Sequence, residues 1–389
     1  MKSVKFLSVF LFLLVIIFAG CQRNDIPVNV DQQDNTATLD KTDWDFPGGV
    51  PVVITESNDA SGNEIVIYSR SNNGSLSYTG SFPTGGTGSG DGLGSQGAVV
   101  LKGRYIFAVN AGSNDVSVLK FQDNNNVIMI DRQASGGMRP ISLTVHHNIL
   151  YVLNAGGEEN ITGFRINNDG KISQISGSTK PLSGTGVGPA QAEFSPNGRF
   201  LVVTEKMTNL IDTYTVNHQG IANGPNSQSS TGDTPFGFEF DLWGHLIVSD
   251  AYGGNAGAGA MSSYRVGYAG INLISGPVVN NQTAPCWVVV TDDGRFTYTT
   301  NAGTGNISGY KIHFNGSLTL FNDGGDTGNT GDGSSPIDMA LAGFSKYLYA
   351  LGSGTHTISV FRINRFNGHL TSIQTITGVS GHAGGLAAN

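Results

Sequence analysis

Short apolar runs separated by turn residues recur along the chain from about residue 50. In residues 189–205 and again in residues 285–301, a proline opens an apolar run, an Asn-Gly or Asp-Gly pair interrupts it, and a second run ends on a polar residue. Asn-Gly and Asp-Gly between apolar runs are strong hairpin signals, because both turn positions need a positive φ. Each unit is therefore predicted to begin with a two-stranded hairpin.

A third strand is predicted after each hairpin, because apolar and polar residues alternate there as in a half-buried strand. These segments are residues 64–70, 115–121, 160–166, 209–216, 261–266, 306–312 and 357–363. A turn then leads to a weaker fourth strand, and helix signals are essentially absent. The opening prolines at 140, 189, 235, 285 and 336 are spaced 49, 46, 50 and 51 residues apart. Four strands at a period of about 40–50 residues are the signature of a propeller blade.

Counting these units predicts an all-β, seven-bladed β-propeller of four-stranded blades over residues 50–389. Six full units run from about residue 96 to residue 377, and residues 52–81 supply strands two to four of one more blade. The C-terminal residues 381–388 resemble an opening strand with nothing after it. We therefore expect this strand to complete the first blade and close the ring, which removes exposed strand edges.

The N-terminus is predicted to be an export signal. Lys2 and Lys5 precede an apolar run over residues 10–18, and small residues lead into Cys21. This resembles a bacterial lipoprotein signal, in which the cysteine is lipidated. The alternatives are a plain signal peptide and a short membrane helix. The apolar run is shorter than the ~18 residues that a membrane-spanning helix needs. We expect a signal over 1–21, a polar tether over 22–49, and a lipid anchor that holds the exported protein on a membrane of the bacterial envelope, at its periplasmic or surface side.

Composition narrows the partners. Only 13% of the residues are charged, the net charge is −8, and no basic stripe is visible, so nucleic acid is not an expected partner. The histidines show no ligand spacing, and no metal or other cofactor is predicted. Residues 323–333 carry aspartates that offer calcium ligands, but a flexible polar connection is the favoured interpretation. With Cys21 lipidated, Cys286 has no intrachain partner. A monomer is expected.

The repeated openings and the Asn-Ala-Gly turns resemble the lactonase-type seven-bladed propellers, which include phosphogluconolactonase and the carboxymuconate-lactonizing enzymes. Residues 203–206, 234–238 and 286–291 resemble a subgroup without an established substrate. In phosphogluconolactonase-like members a Pro-His-Gln sequence opens the central blade, and its histidine is implied to act in the active site. Here Ala190 takes its place, and Pro235-Phe236-Gly237 replaces a Pro-Arg-His opening.

Candidate site residues follow from the topology, because first-strand starts and second-strand ends share one face at the channel mouth. The catalytic candidates are Glu205 as the base, Gln191 with Asn301 at the developing oxyanion, and Asp338 as a further carboxylate. Arg139 and Lys206 are candidates for holding a carboxylate or phosphate, and the remaining substrate-binding candidates are Phe236, Asp250, Trp287 and Asn301. The alternative roles are turn capping for Asn301, blade packing for Trp287 and a structural ion pair for Glu205.

Two functions are favoured at this stage over a third, weaker idea, which is a purely structural component of the envelope. The first is a lactonase-like enzyme of the cell envelope, which hydrolyses or isomerises a lactone or sugar acid without a metal. The second is a non-catalytic propeller that binds an envelope glycan, peptide or protein.

Overall fold

The computed structural model describes residues 51–123 and 126–389, and these form a ring of seven antiparallel sheets. The predicted signal over 1–21, with Cys21, and the predicted tether over 22–49 lie outside the described residues. The only described helix is a single 3-10 turn, Tyr252–Gly254. The prediction of a seven-bladed β-propeller is confirmed.

The strands are numbered in chain order, and those of each blade are given below from the central channel outwards. Blade 1 contains β30 (Gly384–Ala388), β1 (Val52–Glu56), β2 (Glu64–Arg70) and β3 (Leu76–Pro83); blade 2 contains β4 (Val99–Lys102), β5 (Tyr105–Asn110), β6 (Asp115–Phe121) and β7 (Val127–Ala134). Blade 3 contains β8 (Met138–His146), β9 (Ile149–Gly156), β10 (Asn160–Ile166) and a broken outer strand, β11 (Ile172–Gln174) and β12 (Lys180–Pro181). Blade 4 contains β13 (Pro189–Phe194), β14 (Phe200–Glu205), β15 (Leu210–Val216) and β16 (Ala222–Ser229).

The last three blades repeat this order. Blade 5 contains β17 (Pro235–Phe240), β18 (His245–Asp250), β19 (Ala260–Gly267) and β20 (Gly270–Val279). Blade 6 contains β21 (Pro285–Val290), β22 (Phe296–Asn301), β23 (Asn306–Ile312) and a broken outer strand, β24 (Leu318–Leu320) and β25 (Gly328–Asn329). Blade 7 contains β26 (Pro336–Ala342), β27 (Tyr347–Gly352), β28 (Thr357–Ile363) and β29 (Leu370–Thr377).

The C-terminal strand closes the ring as predicted. Strand β30 pairs antiparallel with β1, so that Val53 lies opposite Ala388 and Ile54 opposite Ala387. Strand β30 also packs between β26 of blade 7 and β4 of blade 2, the inner strands on either side. The N- and C-terminal parts of the propeller are therefore held in one sheet by hydrogen bonds.

Buried tyrosines connect neighbouring blades. The hydroxyl of Tyr151 in blade 3 donates to the Gly220 carbonyl of blade 4 at 2.8 Å, and Tyr298 in blade 6 reaches the blade 7 carbonyl of Gly368 at 2.6 Å. Both acceptor glycines have a positive φ and lie in turns between third and fourth strands. Since a buried hydroxyl needs a hydrogen-bond partner, these contacts fix how blade 3 packs on blade 4 and how blade 6 packs on blade 7.

The blades give the propeller two distinct faces. One face carries the turns between first and second strands and between third and fourth strands, and is called the hairpin face below. The other carries the starts of the first strands, the ends of the second strands and the long glycine-rich connections, and is called the loop face. The candidate site residues were predicted at the loop face.

Candidate functional site

A short segment of the chain crosses the mouth of the channel at the loop face. Residues 92–97, called the mouth loop, leave blade 1 and contact the inner strands of blades 3, 4 and 6. The Ser95 hydroxyl donates to the Ile141 carbonyl at 2.7 Å, the Gln96 N–H donates to the Ala190 carbonyl at 3.2 Å, and the Trp287 indole N–H donates to the Ser95 carbonyl at 2.7 Å. The propeller therefore covers its own channel at this face.

Two glutamines satisfy the backbone of inner strands at the channel. The Gln96 side chain accepts from the Val288 N–H at 2.9 Å and donates to the Val288 carbonyl at 2.7 Å. Gln191 makes the same pair of bonds with Phe238, at 2.7 Å and 2.9 Å. An amide that both donates and accepts substitutes for a peptide group of a missing neighbouring strand. Gln96 thus fixes the mouth loop on blade 6, and Gln191 joins blade 4 to blade 5.

A cavity of about 410 Å³ lies beside the mouth loop, between blades 3 and 4. Its walls contain two cations, Arg139 and Lys206, and one carboxylate, Glu159. The mouth loop supplies Gly92, Leu93 and Gly94 as one wall of this cavity. Its volume lies within the usual range for small-molecule sites.

Lys206 is held at this cavity by a hydrogen bond and a cation–π contact. Its ammonium donates to the Gly94 carbonyl at 2.5 Å and lies 4.6 Å from the centre of the Phe236 ring, a cation–π contact. The Phe236 ring in turn packs against Trp287 at a centroid distance of 5.1 Å. Burial, together with the charge of Arg139, lowers the pKa of Lys206 to about 8. Lys206 can therefore exchange a proton close to neutral pH.

Arg139 reaches the same cavity from the start of blade 3. Its backbone has φ 53°, and its N–H donates to the Asn114 side chain at 2.7 Å. The guanidinium is exposed and lies 3.4 Å from the Gly92 carbonyl of the mouth loop. Arg139 and Lys206 therefore both contact the mouth loop and both face the cavity, as the sequence placed them on one face.

Glu159 supplies the carboxylate of the cavity. It is buried, and its Oε2 accepts from the Val187 N–H at 2.8 Å, which fixes the side chain across the gap between blades 3 and 4. Sequence reasoning did not select Glu159. The available signal was its position in a connection on the loop face, directly before the third strand of blade 3.

A pair of carboxylates lies on the inner strands of blades 4 and 5, apart from the cavity that contains Glu159. Glu193 and Glu239 are half-buried and hydrogen-bonded to each other, and Gln191 Nε2 donates to Glu193 Oε2 at 2.8 Å. Burial raises the pKa of Glu193 well above its usual range, reinforced by the charge of Glu239, and burial also raises the pKa of Glu239. The pair therefore tends to keep a proton that an exposed carboxylate would lose.

The sequence matches a family model described as lactonase, seven-bladed β-propeller, over residues 102–257 and 271–383. These residues make up more than half of the chain. The chain belongs to this family. No curated protein matches the sequence. Membership fits the fold, since the described residues form seven four-stranded blades around one channel.

Solved structures of similar shape share the fold with this lactonase-family chain. A proposed 6-phosphogluconolactonase from Bacteroides fragilis is 19% identical with a TM-score of 0.65, and the match covers 90% of this chain and 99% of that one. A periplasmic gluconolactonase from Pseudomonas aeruginosa is 14% identical with a TM-score of 0.66, and the match covers 85% and 97%. A protein from Lactobacillus plantarum is 14% identical with a TM-score of 0.70, and the match covers 87% and 99%. At these identities the likeness shows the fold alone.

The residues predicted at the ends of the second strands lie inside their blades. Glu205 is fully buried, and its carboxylate accepts from the Ser183 N–H at 3.0 Å, the Ser183 hydroxyl at 2.6 Å and the Thr208 hydroxyl at 2.6 Å. Asn301 bonds Asn306 and Ser308 within blade 6 and Asn280 in the connection from blade 5, at distances between 2.7 and 3.0 Å. These bonds tie loop-face connections to the blades. Neither residue lines the 410 Å³ cavity.

The two predicted aspartates are also buried in the lactonase-family propeller. Asp250 accepts from the Ser262 hydroxyl at 2.6 Å, and burial raises the pKa of Asp250 to about 7. Burial raises the pKa of Asp338 well above its usual range, although the backbone N–H groups of Met339, Leu386 and Gly97 act against this rise. Gln191, Glu205 and Asp338 do not share a hydrogen-bond partner and do not line the cavity. The structure thus brings Arg139, Lys206, Phe236 and Trp287 together and leaves the other predicted residues apart.

Metal-ligating clusters and membrane spans are not found in the described part of the chain. No group of three or more His, Cys, Asp or Glu residues within 51–123 and 126–389 is arranged to hold a metal ion. Among the same residues, no helix is long and apolar enough to cross a membrane.

Cys286 is buried near Lys206, and burial raises the pKa of its thiol to about 12. The nucleophilic thiolate is therefore not formed near neutral pH.

Proposed function

We propose that the protein hydrolyses a lactone of a sugar acid in the cavity beside the mouth loop. The single observation that carries the proposal is the placement of Arg139, Lys206 and Glu159 around one cavity of about 410 Å³ at the channel mouth. Membership of the lactonase family supports the reaction class. The names of the gluconolactonase-like neighbours, at low identity, suggest the substrate class and nothing finer.

The roles follow from the chemistry of each group. Glu159 accepts a proton from a water as the water oxygen attacks the lactone carbonyl carbon, and negative charge builds up on the carbonyl oxygen. The Lys206 ammonium stabilises that charge, since it stays protonated below about pH 8. The ring C–O bond then breaks, and the leaving ring oxygen takes the proton from Glu159, which yields a hydroxy acid. Arg139 holds a carboxylate or phosphate of the substrate with its planar guanidinium.

The test measures hydrolysis of glucono-1,5-lactone and of its 6-phosphate, corrected for the spontaneous reaction. We expect the wild type to exceed the background and Glu159→Gln to lose about 100-fold or more of kcat, the typical range for a general base. Glu158→Gln is the matched control, because Glu158 is the exposed neighbour in the same connection. Gln keeps an oxygen for the Val187 N–H, so the fold is retained.

Three outcomes would contradict the proposal. If the wild type hydrolysed neither lactone faster than the spontaneous reaction and yet bound the product acids, this result would favour a non-catalytic binding propeller. Wild-type rates in Glu159→Gln would remove Glu159 from the mechanism. Loss of turnover in Glu205→Gln but not in Glu159→Gln would return the base role to Glu205, where the sequence first placed it.

A further inference from the structure

The charges of the propeller are divided unequally between its two faces. The described residues contain 17 lysines and arginines, and 13 of them lie at the hairpin face. Those thirteen are Arg70, Lys102, Arg104, Lys120, Arg165, Lys171, Arg199, Arg265, Arg295, Lys311, Lys346, Arg362 and Arg365. Of the 23 described aspartates and glutamates only five lie there: Asp123, Asp169, Asp241, Asp292 and Asp293. A chain of net charge −8 thus presents one positively charged surface.

The same face exposes large aromatic side chains, concentrated on blades 5 to 7. Phe366, Phe344 and Phe314 are 94%, 86% and 81% exposed, and each lies at or beside the tip of a hairpin turn. Tyr268 and Trp243 are also exposed in turns of blade 5, and the Trp243 ring packs against Phe314 at a centroid distance of 5.8 Å. Large aromatic groups at adjacent loop tips on one side of a ring are unusual for a surface that meets only water.

Cations surround these aromatic tips. Arg265, Arg295, Lys311, Lys346 and Arg365 are all exposed on blades 5 to 7. Of the three acidic groups on this part of the face, Asp241 is buried against His245 at 2.7 Å, Asp293 is paired with Arg295 at 2.7 Å, and Asp292 is exposed. A cavity of about 370 Å³ opens beside Trp243 and is also lined by Arg265 and Phe200. Aromatic tips among basic residues match the boundary of a bilayer, where apolar groups enter beneath anionic headgroups.

The chain also enters the propeller at this face. Strand β1 begins at Val52, opposite Ser69 near the end of β2, and runs towards Glu56 at the loop face. Pro51, the first described residue, therefore lies at the hairpin face. The 50 residues before it contain the apolar run over residues 10–18 and Cys21, on which the expected membrane anchor depends.

We propose that the hairpin face of blades 5 to 7 docks onto an anionic lipid bilayer. The basic residues are attracted to acidic headgroups, and each contributes most when it lies close to the membrane surface. The aromatic tips of Trp243, Phe314, Phe344 and Phe366 enter the headgroup region. The loop face, with its cavity, then faces away from the bilayer and stays open to dissolved substrate. This inference is independent of the reaction proposed above.

The test follows Trp243 itself, so the readout does not depend on how the N-terminal segment attaches. The full chain carries Trp44→Phe and is added to vesicles of phosphatidylcholine alone or mixed with phosphatidylglycerol, each containing brominated lipid as a tryptophan quencher. We expect quenching on the anionic vesicles that is absent from Trp243→Phe, because Trp287 is buried at the other face. Raising the salt to 1 M, where the screening length is about 3 Å, reduces the quenching.

Charge variants provide the second arm. Lys311→Glu/Lys346→Glu/Arg365→Glu is expected to reduce the docked-to-undocked ratio at least tenfold, because three attractive charges become repulsive. Lys180→Glu is a control at the loop face and is expected to leave the ratio unchanged. The lactone assay and the melting temperature of each variant check that the propeller stays folded.

Several results would overturn the proposal. Equal quenching of Trp243 on neutral and anionic vesicles, unaffected by the triple charge variant, would mean that the N-terminal segment alone brings the protein to the surface. No quenching on either vesicle would exclude docking through this face. Binding of a soluble polyanion such as dextran sulfate that survives Phe314→Ser/Phe344→Ser/Phe366→Ser, without any lipid preference, would identify a polymer as the partner.

Discussion

At the scale of single residues, Lys206 is the side chain in which burial and function oppose each other. Its ammonium sits on the Phe236 ring beside Arg139, and burial lowers its pKa to about 8. The charged form binds an anion, whereas the neutral form does not. Affinity for an anionic ligand should therefore be full below pH 8 and fall as the pH rises through 8.

The lowered pKa of Lys206 predicts how the affinity for the product depends on pH. The dissociation constant of 6-phosphogluconate, measured by calorimetry, should rise by up to about tenfold per pH unit above 8, because one proton must be taken up for each anion bound. Lys206→Arg should remove the dependence, since a guanidinium stays charged, and Lys206→Met should bind weakly at every pH. A constant affinity between pH 7 and 9.5 in the wild type would contradict the assignment.

The carboxyl pair of Glu193 and Glu239 makes a prediction about stability. Both pKa values are raised in the folded protein, so the stability of the protonated pair is complete below the unfolded value of about 4.5 and is lost as the pH rises through the raised folded value. Glu193→Gln keeps the hydrogen bonds and cannot ionise. Its melting temperature should exceed that of the wild type by a few degrees near pH 7.5, and the difference should vanish near pH 4.

The control for this measurement is Glu158→Gln, which removes an exposed carboxylate elsewhere. A melting temperature of Glu193→Gln that is lower than the wild type at pH 7.5 would show that the charged pair stabilises the fold.

Much of this detail could not be predicted from the sequence. The sequence placed Arg139 and Lys206 on one face because strand ends fix the face of a propeller, and both residues line the same cavity. It assigned Glu205 to catalysis because Glu stands where other blades have Asn. The structure shows that Ser183 and Thr208 use that carboxylate to anchor a connection, which no local pattern reveals. Glu159 was missed because its approach to Lys206 depends on how blade 3 packs on blade 4.

At the scale of elements, the mouth loop is the feature that the sequence hid most completely. Residues 85–97 have the composition of a glycine-rich connection, and nothing local shows that residues 92–97 lie across the channel. The contacts that hold them join residues 192 positions apart, Gln96 with Val288 and Ser95 with Trp287. By contrast, the third strands were predicted almost to the residue, because their alternation is local.

Gln96 should therefore control both stability and the cavity wall. Gln96→Glu replaces the donor that faces the Val288 carbonyl with a carboxylate oxygen, so a buried bond becomes a repulsion. We expect a loss of about 1–3 kcal/mol in the free energy of unfolding, measured by denaturant titration, and a lower kcat/KM because the mouth loop loosens. Gln122→Glu, in an exposed turn, is the control. Unchanged stability in Gln96→Glu would mean that water replaces the lost bond.

At the scale of the whole molecule, ring closure was predictable although the contacts are remote in sequence. The first blade lacked an opening strand and the C-terminus offered one without a partner, so counting strands was enough. The unequal distribution of charge between the two faces could be predicted only with the topology. The basic residues are scattered through all seven blades, and they form one surface because the fold brings the hairpin turns to one face.

The closure of the ring by β30 predicts how a shortened chain should behave. A chain ending at Ser380 lacks β30 and exposes the edge of β1, including the residues opposite Ala387 and Ala388. An open edge of this kind invites pairing with other chains, so we expect a lower melting temperature and aggregation on heating, measured by calorimetry and light scattering. A synthetic peptide of residues 381–389 should restore both by filling the vacant position between β26 and β4, whereas a scrambled peptide should not. If the shortened chain melted like the wild type and ignored the peptide, the six complete blades and the three remaining strands of blade 1 would be stable without closure, and the hydrogen bonds of β30 would add nothing to the ring.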